Sequence, residues 1–272
     1  MHPNMASLLW LVSLLSGGAL ADDPSLRPIV LTHYNGGIYE KNKHYVELLN
    51  KNRAEYCRRH GYLCVSPGLN WEQVFGERVS LVGSIAHLIH PAAWSTPALL
   101  LDLFARRVTD QVLWIDADAL ITNFNMSIPS IWALSPQPTR PFVISGDYPA
   151  LRRPHDMNRG VFLARRDSVI IDWFRKVLTY SNTNLFRFGG YLDQLCMQDI
   201  YNENATVHSA VHVHEPYSDL MIFTKTEQPN GHQFVIHGAG DGDNRLDRLQ
   251  AMYKQTNPEL ADLGAVRGLV RG

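Results

Sequence analysis

The sequence predicts an α/β fold, in which one central and mostly parallel β-sheet is flanked by helices in a single domain. Short apolar segments with β-branched residues alternate with longer segments of helical periodicity, which is the pattern that builds such sheets. The chain opens with the order strand, helix, strand. Its 272 residues, of which 45% are hydrophobic, suffice for one large core, and a net charge of −1 gives no excess of basic residues for nucleic acid.

The opening unit contains the first two strands and the helix between them. Residues 28–33 predict the first strand, residues 39–60 have helical spacing, and residues 62–65 predict the second strand. Gly61 fits the end of the helix, because glycine readily adopts the left-handed conformation that stops helices. Two strands joined by a helix predict a parallel pair.

The remaining elements continue this alternation. We predict helices over residues 94–107, over residues 169–178 with Asp167 as the cap, after the turn at 188–191 with Asp193 and Gln194 on it, and over residues 245–254. We predict strands over residues 111–115, 142–145, 160–164, 207–214 and 234–237.

The most informative segment is the strand that ends in Asp116 and Asp118. In an extended chain residues i and i+2 lie on the same face, so the two carboxylates converge. Apolar residues flank them on both sides, and buried carboxylates repel each other unless a positive charge lies between them. Ligands of α/β sheets bind at this end of the strands, so a hard divalent cation with open positions for phosphates is indicated. The alternative is a polar turn with two solvated aspartates.

Residues 1–21 have the features of a targeting segment. The segment is almost uncharged, and Ala19 and Ala21 fit a signal-peptidase cleavage site. We interpret it as a signal peptide, with a short uncleaved signal anchor and a buried N-terminal helix as the alternatives. Residues 22–272 then form the folded domain.

Cysteines and sequons also bear on the compartment. Cys57 and Cys64 could form a disulfide, and the equal alternative is three buried thiols, with Cys196 as the third. Asn125 and Asn204 begin N-glycosylation sequons, which agree with a secretory route.

Two histidines, His212 and His214, share one face of a predicted strand. We interpret them as ordinary strand residues that line the cleft. A separate metal-binding pair is the alternative.

Several segments, taken in order, resemble glycosyltransferase family 34, which groups α-galactosyl-, α-mannosyl- and α-xylosyltransferases. Residues 113–123, LWIDADALITN, are similar to that family's signature W-L-D-x-D-A-L-I-x-N. Weaker similarities lie at residues 45–62, at 91–94, at the N-x-G-x-F-L strand of 158–163, at the pair Asp193 and Gln194, and at the late H-x-x-G of 237–240. The resemblance covers residues 29–247 and is that of a divergent member.

The resemblance implies a GT-A, Rossmann-like fold and a retaining transferase. Such an enzyme moves a hexose or pentose from a UDP- or GDP-linked sugar to a glycan or glycoprotein acceptor. It implies Mn²⁺, or Mg²⁺, held by Asp116, Asp118 and His237. A metal that bridges both phosphates neutralises the charge that develops on the leaving nucleoside diphosphate. Such an enzyme would be a type II membrane glycoprotein facing the Golgi lumen, or a secreted protein.

The resemblance also implies roles around the metal. Asp193 and Gln194 would act near the anomeric carbon, where they steady the developing oxocarbenium ion or orient the acceptor. The implied donor-binding positions are Thr32 and Tyr34 for the nucleotide, Asp116, and Asn158 and Gly160 along the donor sugar.

Three positions depart from the family pattern. Thr96 stands where the family often has a lysine, Arg159 stands where serine or threonine is expected, and residues 238–241 replace F-x-G-C. These departures leave the donor and acceptor open. Arg159 could clamp an anionic or polyhydroxylated acceptor, or point to solvent.

Two other function classes compete with the transferase. In a haloacid-dehalogenase-type phosphatase Asp116 would be the nucleophile and Asp118 the acid/base, and residues 240–244 resemble the later Mg²⁺ loop of that class. Against this, Leu120 stands where that class has threonine, and the motif does not begin the domain. The second alternative is a non-catalytic secreted glycan-binding protein that kept a transferase fold.

Overall fold

The computed structural model describes residues 27–33, 42–65, 95–105, 107–147, 157–180, 192–215, 219–223, 232–238 and 245–258. The targeting segment 1–21, Tyr34 and the segments 91–94 and 240–244 lie outside these residues, so the predictions made for them stay predictions. Within the described residues no helix is both long enough and apolar enough to cross a membrane.

Two sheets form the framework. The strands are β1 Ile29–Leu31, β2 Leu63–Val65, β3 Gln111–Ile115, β4 Ala119–Ile121, β5 Phe142–Gly146, β6 Met157–Arg165, β7 Val211–His214, β8 Met221–Phe223 and β9 Val235–His237. The larger sheet has the order β2-β1-β3-β6-β5-β7, and the smaller has the order β4-β9-β8. In the larger sheet only β6 is antiparallel to its neighbours, so the predicted mostly parallel sheet is confirmed.

Seven helices are described: α1 Lys43–His60, α2 Ser95–Ala105, α3 Ile128–Ala133, α4 Ser168–Tyr180, α5 Leu192–Glu203, α6 Ala205–Ala210 and α7 Arg245–Thr256. Helix α1 ends, as predicted, at Gly61, which has φ of 70° and donates its N–H to the carbonyl of Cys57. The predicted cap of α4 is also confirmed, because Asp167 accepts a hydrogen bond from the N–H of Val169.

Alternate residues of the central strands pack on opposite faces of the larger sheet. On β3, Leu113 and Ile115 join a core with α1, α7 and the smaller sheet. Val112 and Trp114 join a second core with α2, α4, α5 and α6. The sheet is therefore covered on both faces, as its apolar strands predict.

One prediction of secondary structure is wrong. Residues 207–210 belong to α6 and not to a strand, and only Val211–His214 forms β7. The side chain of Asn204 accepts hydrogen bonds from the N–H groups of Thr206 and Val207, and this cap starts a helix that the β-branched residues alone do not indicate. Strands β4 and β8 and helix α3 were not predicted, because such short elements show no clear periodicity.

The cysteines settle one open alternative. Cys57, in the last turn of α1, is paired in a disulfide with Cys64 on β2, and their Cα atoms are 5.8 Å apart. Cys196 is a buried free thiol on α5. The disulfide therefore ties the end of α1 to the edge of the larger sheet.

Candidate functional site

The candidate site lies at the carboxyl ends of the parallel strands of the larger sheet, where several chain segments meet. Asp116 and Asp118 follow β3, and Asp147 follows β5. Because β6 runs in the opposite direction, its first residues lie at the same end of the sheet. His237 ends β9, and Asp193 and Gln194 lie in the first turn of α5. The sheet topology thus assembles side chains that are far apart in sequence.

Asp116, Asp118 and His237 form a cluster that could hold a metal ion. The Nε2 atom of His237 lies 3.3 Å from Oδ1 of Asp118 and 3.9 Å from Oδ2 of Asp116. One ligand atom from each residue lies within 4.8 Å of the other two. The pairing of β4 with β9 fixes this contact, because Ala119 lies opposite His237 and the N–H of Gly238 donates to the carbonyl of Asp118. Two carboxylates and one imidazole are a donor set that suits Mn²⁺.

The carboxylate of Asp116 is held at one oxygen and presented at the other. Trp114 Nε1 donates to Oδ1 of Asp116 at 2.7 Å, and Nη1 of Arg159 lies 3.6 Å from the same oxygen. The other oxygen, Oδ2, is the one that approaches His237. Hydrogen bonds of this kind orient metal ligands from behind.

His237 is buried against Gly160, which has no side chain to displace it. His237 is 3% exposed. A Cβ atom on Gly160 would collide with Cε1 of His237 and lie 2.5 Å from its Nδ1. Burial alone lowers the pKa of His237, but Asp118 and then Asp116 outweigh it and raise the pKa overall. The cluster therefore favours a positive charge between these side chains.

Arg159 faces inward, so the suggestion that it points to solvent is wrong. Its Nε lies 2.9 Å from Oδ2 of Asp193, and its Nη1 donates to the hydroxyl of Thr96 at 3.1 Å. With Asp116 on the same guanidinium, Arg159 bridges two carboxylates. Asp193 is 1% exposed, and this burial raises the pKa of Asp193 to about 6, with Arg159 opposing the rise.

The raised pKa of Asp193 predicts a pH-dependent stability. The folded protein binds this proton more tightly than the unfolded chain, whose pKa is near 3.8. The resulting stability is fully present below about pH 4 and is lost as the pH rises through about 6. The full change is about 3 kcal/mol. We expect urea unfolding from pH 4 to 7 to show this loss in the wild-type protein relative to Asp193→Asn. Parallel curves for the two proteins would contradict it.

A network of side-chain amides joins Gln194, at the start of α5, to β6 and to Asp147, which follows β5. Gln194 donates from Nε2 to Asp147 and accepts from the N–H of Arg159. Asn158 donates from Nδ2 to the other oxygen of Asp147 and accepts from the N–H of Gly160. Asp147 therefore orients both amides, although no motif in the sequence points to it.

A second unpredicted group lies behind the aspartates on α1. Arg53 is 1% exposed, and its Nη2 donates to the carbonyls of Asp116 and Ala119 at 3.2 and 2.7 Å. The hydroxyl of Tyr45 donates to the carbonyl of Ala117 at 2.6 Å. Burial lowers the pKa of Arg53 to about 10, so it remains charged at neutral pH. Because Asn52 holds both the N–H and the carbonyl of Ile121, α1 fixes the backbone on either side of Asp118.

Thr32 belongs to this buried group. Its side chain is 1% exposed, its hydroxyl donates to the carbonyl of Ile115, and it accepts from Nε of Arg53. In this position Thr32 supports the backbone at the end of β3, and its buried side chain offers no surface to a donor nucleotide. Its predicted companion Tyr34 lies outside the described residues.

Comparisons with known proteins establish the fold. No protein-family model and no curated protein sequence matches this chain. The structure is similar to the crystal structure of a glycosyltransferase involved in the glycosylation of the major capsid of PBCV-1. The TM-score is 0.55 and the sequence identity is 18%, over 83% of this chain and 98% of that chain. The predicted α/β glycosyltransferase fold is thereby confirmed, and at this identity the likeness speaks for the fold alone.

Proposed function

We propose that this protein is a metal-dependent glycosyltransferase that uses a nucleotide sugar as donor. The observation that carries the proposal is the convergence of Asp116, Asp118 and His237 beside Asp193 and Gln194, at the carboxyl ends of the parallel strands. The fold likeness to a viral glycosyltransferase supports it over the phosphatase alternative. The proposed metal is Mn²⁺, or Mg²⁺, with these two aspartates and the histidine as its protein ligands.

The chemistry follows from where charge develops. In sugar transfer the leaving nucleoside diphosphate gains negative charge, and a bound divalent cation supplies the electrostatic stabilisation for it. Arg159 adds a fixed positive charge 3.6 Å from Oδ1 of Asp116, while His237 approaches Oδ2. We infer that this guanidinium takes the place of the lysine that is replaced by Thr96, whose hydroxyl accepts its hydrogen bond.

Asp193 is the proposed catalytic carboxylate. In its ionised form it would stabilise the positive charge that grows on the anomeric carbon, and Gln194 would orient a sugar hydroxyl. Because burial raises the pKa of Asp193 to about 6, transfer is expected to decline below that pH. Activity and the stability that Asp193 contributes would then change in opposite directions with pH.

The finer assignments rest on the resemblance to family 34. They are transfer with retention, a UDP- or GDP-linked hexose or pentose as donor, and a glycan or glycoprotein as acceptor. Residues 1–21 as a signal peptide or signal anchor would direct residues 22–272 to the Golgi lumen or to secretion. The exposed side chain of Asn125 agrees with glycosylation there.

The decisive experiment is thermal unfolding of the purified protein with Mn²⁺ and UDP, GDP or no nucleotide. A ligand at 100 times its Kd stabilises the folded state by about 2.7 kcal/mol, which corresponds to a rise in Tm of about 5–10 °C. We expect this rise with one nucleotide only when Mn²⁺ is present, and its loss in Asp118→Ala. Asp172→Ala, which removes an exposed carboxylate on α4, is the matched control and should keep the rise.

The other outcomes identify the competing functions. Phosphate release from a generic phosphomonoester with Mg²⁺, without any nucleotide effect, would favour the phosphatase. Absence of both effects would favour the non-catalytic glycan-binding protein. A nucleotide effect that persists in Asp118→Ala would remove Asp118 from the metal site.

A further inference from the structure

His212 and His214 lie together on the last strand of the larger sheet. They alternate along β7 with Val211 and Val213, which pack into the core that contains α4 and α5. The two imidazoles therefore project from the opposite face. Both side chains are partly exposed, and β7 is the terminal strand in the order of the described sheet. Solvent and ions can reach this position without crossing the core.

The distance between one nitrogen of each ring is long for a hydrogen bond and matches that between two ligands of one metal ion. Nε2 of His212 lies 3.4 Å from Nδ1 of His214. This distance is longer than the 2.7–3.2 Å range that is usual for protein hydrogen bonds from nitrogen. Two nitrogens bound to one tetrahedral Zn²⁺ at 2.0–2.1 Å are about 3.3–3.4 Å apart. The pair thus already has the spacing that a metal would impose.

The charges near the pair include two carboxylates and one guanidinium. Burial lowers the pKa of both histidines. His214, and then Arg140, which donates to the carbonyl of Val211, lower the pKa of His212 further. The negative charge of Glu215 acts on both rings, and that of Asp219 acts on His214. Neutral imidazoles with carboxylates nearby suit a borderline transition metal.

We propose that His212 and His214 form a second metal site, for Zn²⁺ or a similar divalent transition metal such as Co²⁺. It is separate from the Asp116, Asp118 and His237 cluster, and it does not depend on the proposed transferase activity. On the neighbouring strand His214 lies opposite Ser145, two residues before Asp147. A metal here would lie on β7, beside the strand that leads to Asp147.

The test is Co²⁺ titration of the Asp118→Ala protein, followed by visible absorption, and calorimetric titration of the same protein with Zn²⁺. Asp118→Ala removes the first cluster, so remaining binding reports on the second site. We expect one bound equivalent, and a loss of affinity of at least about tenfold when His214→Gln is added. His44→Gln, which changes an exposed histidine on α1, is the matched control and should leave the titration unchanged.

Each remaining result decides the proposal. Equal binding with and without His214→Gln would overturn it, as would no binding by the Asp118→Ala protein. If His214→Gln fails to fold, as judged by circular dichroism, His212→Gln replaces it with the same expectation. If Asp118→Ala fails to fold, Asp116→Asn provides the background.

Discussion

Replacing Arg53 with methionine is expected to lower the free energy of unfolding by about 1–3 kcal/mol. The guanidinium donates to Thr32 Oγ1, Asn52 Oδ1 and the carbonyls of Asp116 and Ala119. A buried acceptor that loses its donor costs about 1–3 kcal/mol. Asn52 Oδ1 and the carbonyl of Asp116 keep the N–H groups of Ile121 and Ala119 as donors, so the loss falls on Thr32 Oγ1 and the carbonyl of Ala119. Methionine also removes a buried charge, whose lowered pKa of about 10 corresponds to about 3 kcal/mol. The lost donors therefore outweigh the relieved charge.

The measurement is urea unfolding at neutral pH, together with Mn²⁺ affinity. Arg58→Met on the same helix is the matched control, because Arg58 is exposed and pairs only with Glu55 among the contacts described here. We expect Arg58→Met to change neither quantity noticeably. Equal stability of the two variants would show that the buried hydrogen bonds of Arg53 contribute nothing net.

Replacing Gly160 with alanine is expected to lower Mn²⁺ affinity by at least about tenfold and stability by about 1–3 kcal/mol. The added Cβ would collide with the His237 ring and lie 2.8 Å from Oδ1 of Asn158. Gly160 is in the middle of β6 and its carbonyl accepts from the N–H of Asp116, so the backbone cannot move away freely. The imidazole must move instead, and it then leaves Asp118.

Isothermal titration with Mn²⁺ measures this effect. Gly61→Ala is the control, since Gly61 has φ of 70° and an added Cβ there would meet no atom within 4 Å. Alanine there strains the backbone by about 1–2 kcal/mol without touching the metal cluster. We expect Gly61→Ala to lose stability and keep full Mn²⁺ affinity. Full affinity in Gly160→Ala would mean that His237 is not a ligand.

The parts of the site that the sequence predicted are those that local pattern can show. Asp116 and Asp118 follow an apolar strand directly, so their convergence needed only the period of an extended chain. Only the family resemblance linked His237 to these aspartates, because nothing in its own segment indicates a partner 119 residues away. The fold class followed from the alternation of strands and helices, and the structural comparison confirms it.

The parts that were missed depend on contacts between distant segments. Arg53 lies on a helix whose periodicity was interpreted only through its apolar residues, and its acceptors lie 63 and 66 residues along the chain. Asp147 follows β5 with no motif around it. Strand β4 is three residues long, and its place opposite β9 is a property of the assembled sheet. Such relationships do not leave a periodic pattern in a sequence.

The contact between Asp118 and His237 also has a topological meaning. These two residues are 119 positions apart, and β9 lies near the end of the described chain. An ion held by both would close a loop of that length, as a crosslink does, and would remove configurational entropy from the unfolded chain. The same ion would then bind the substrate and crosslink the chain. Its removal by a chelator would therefore free β9 as well as disrupt the candidate site.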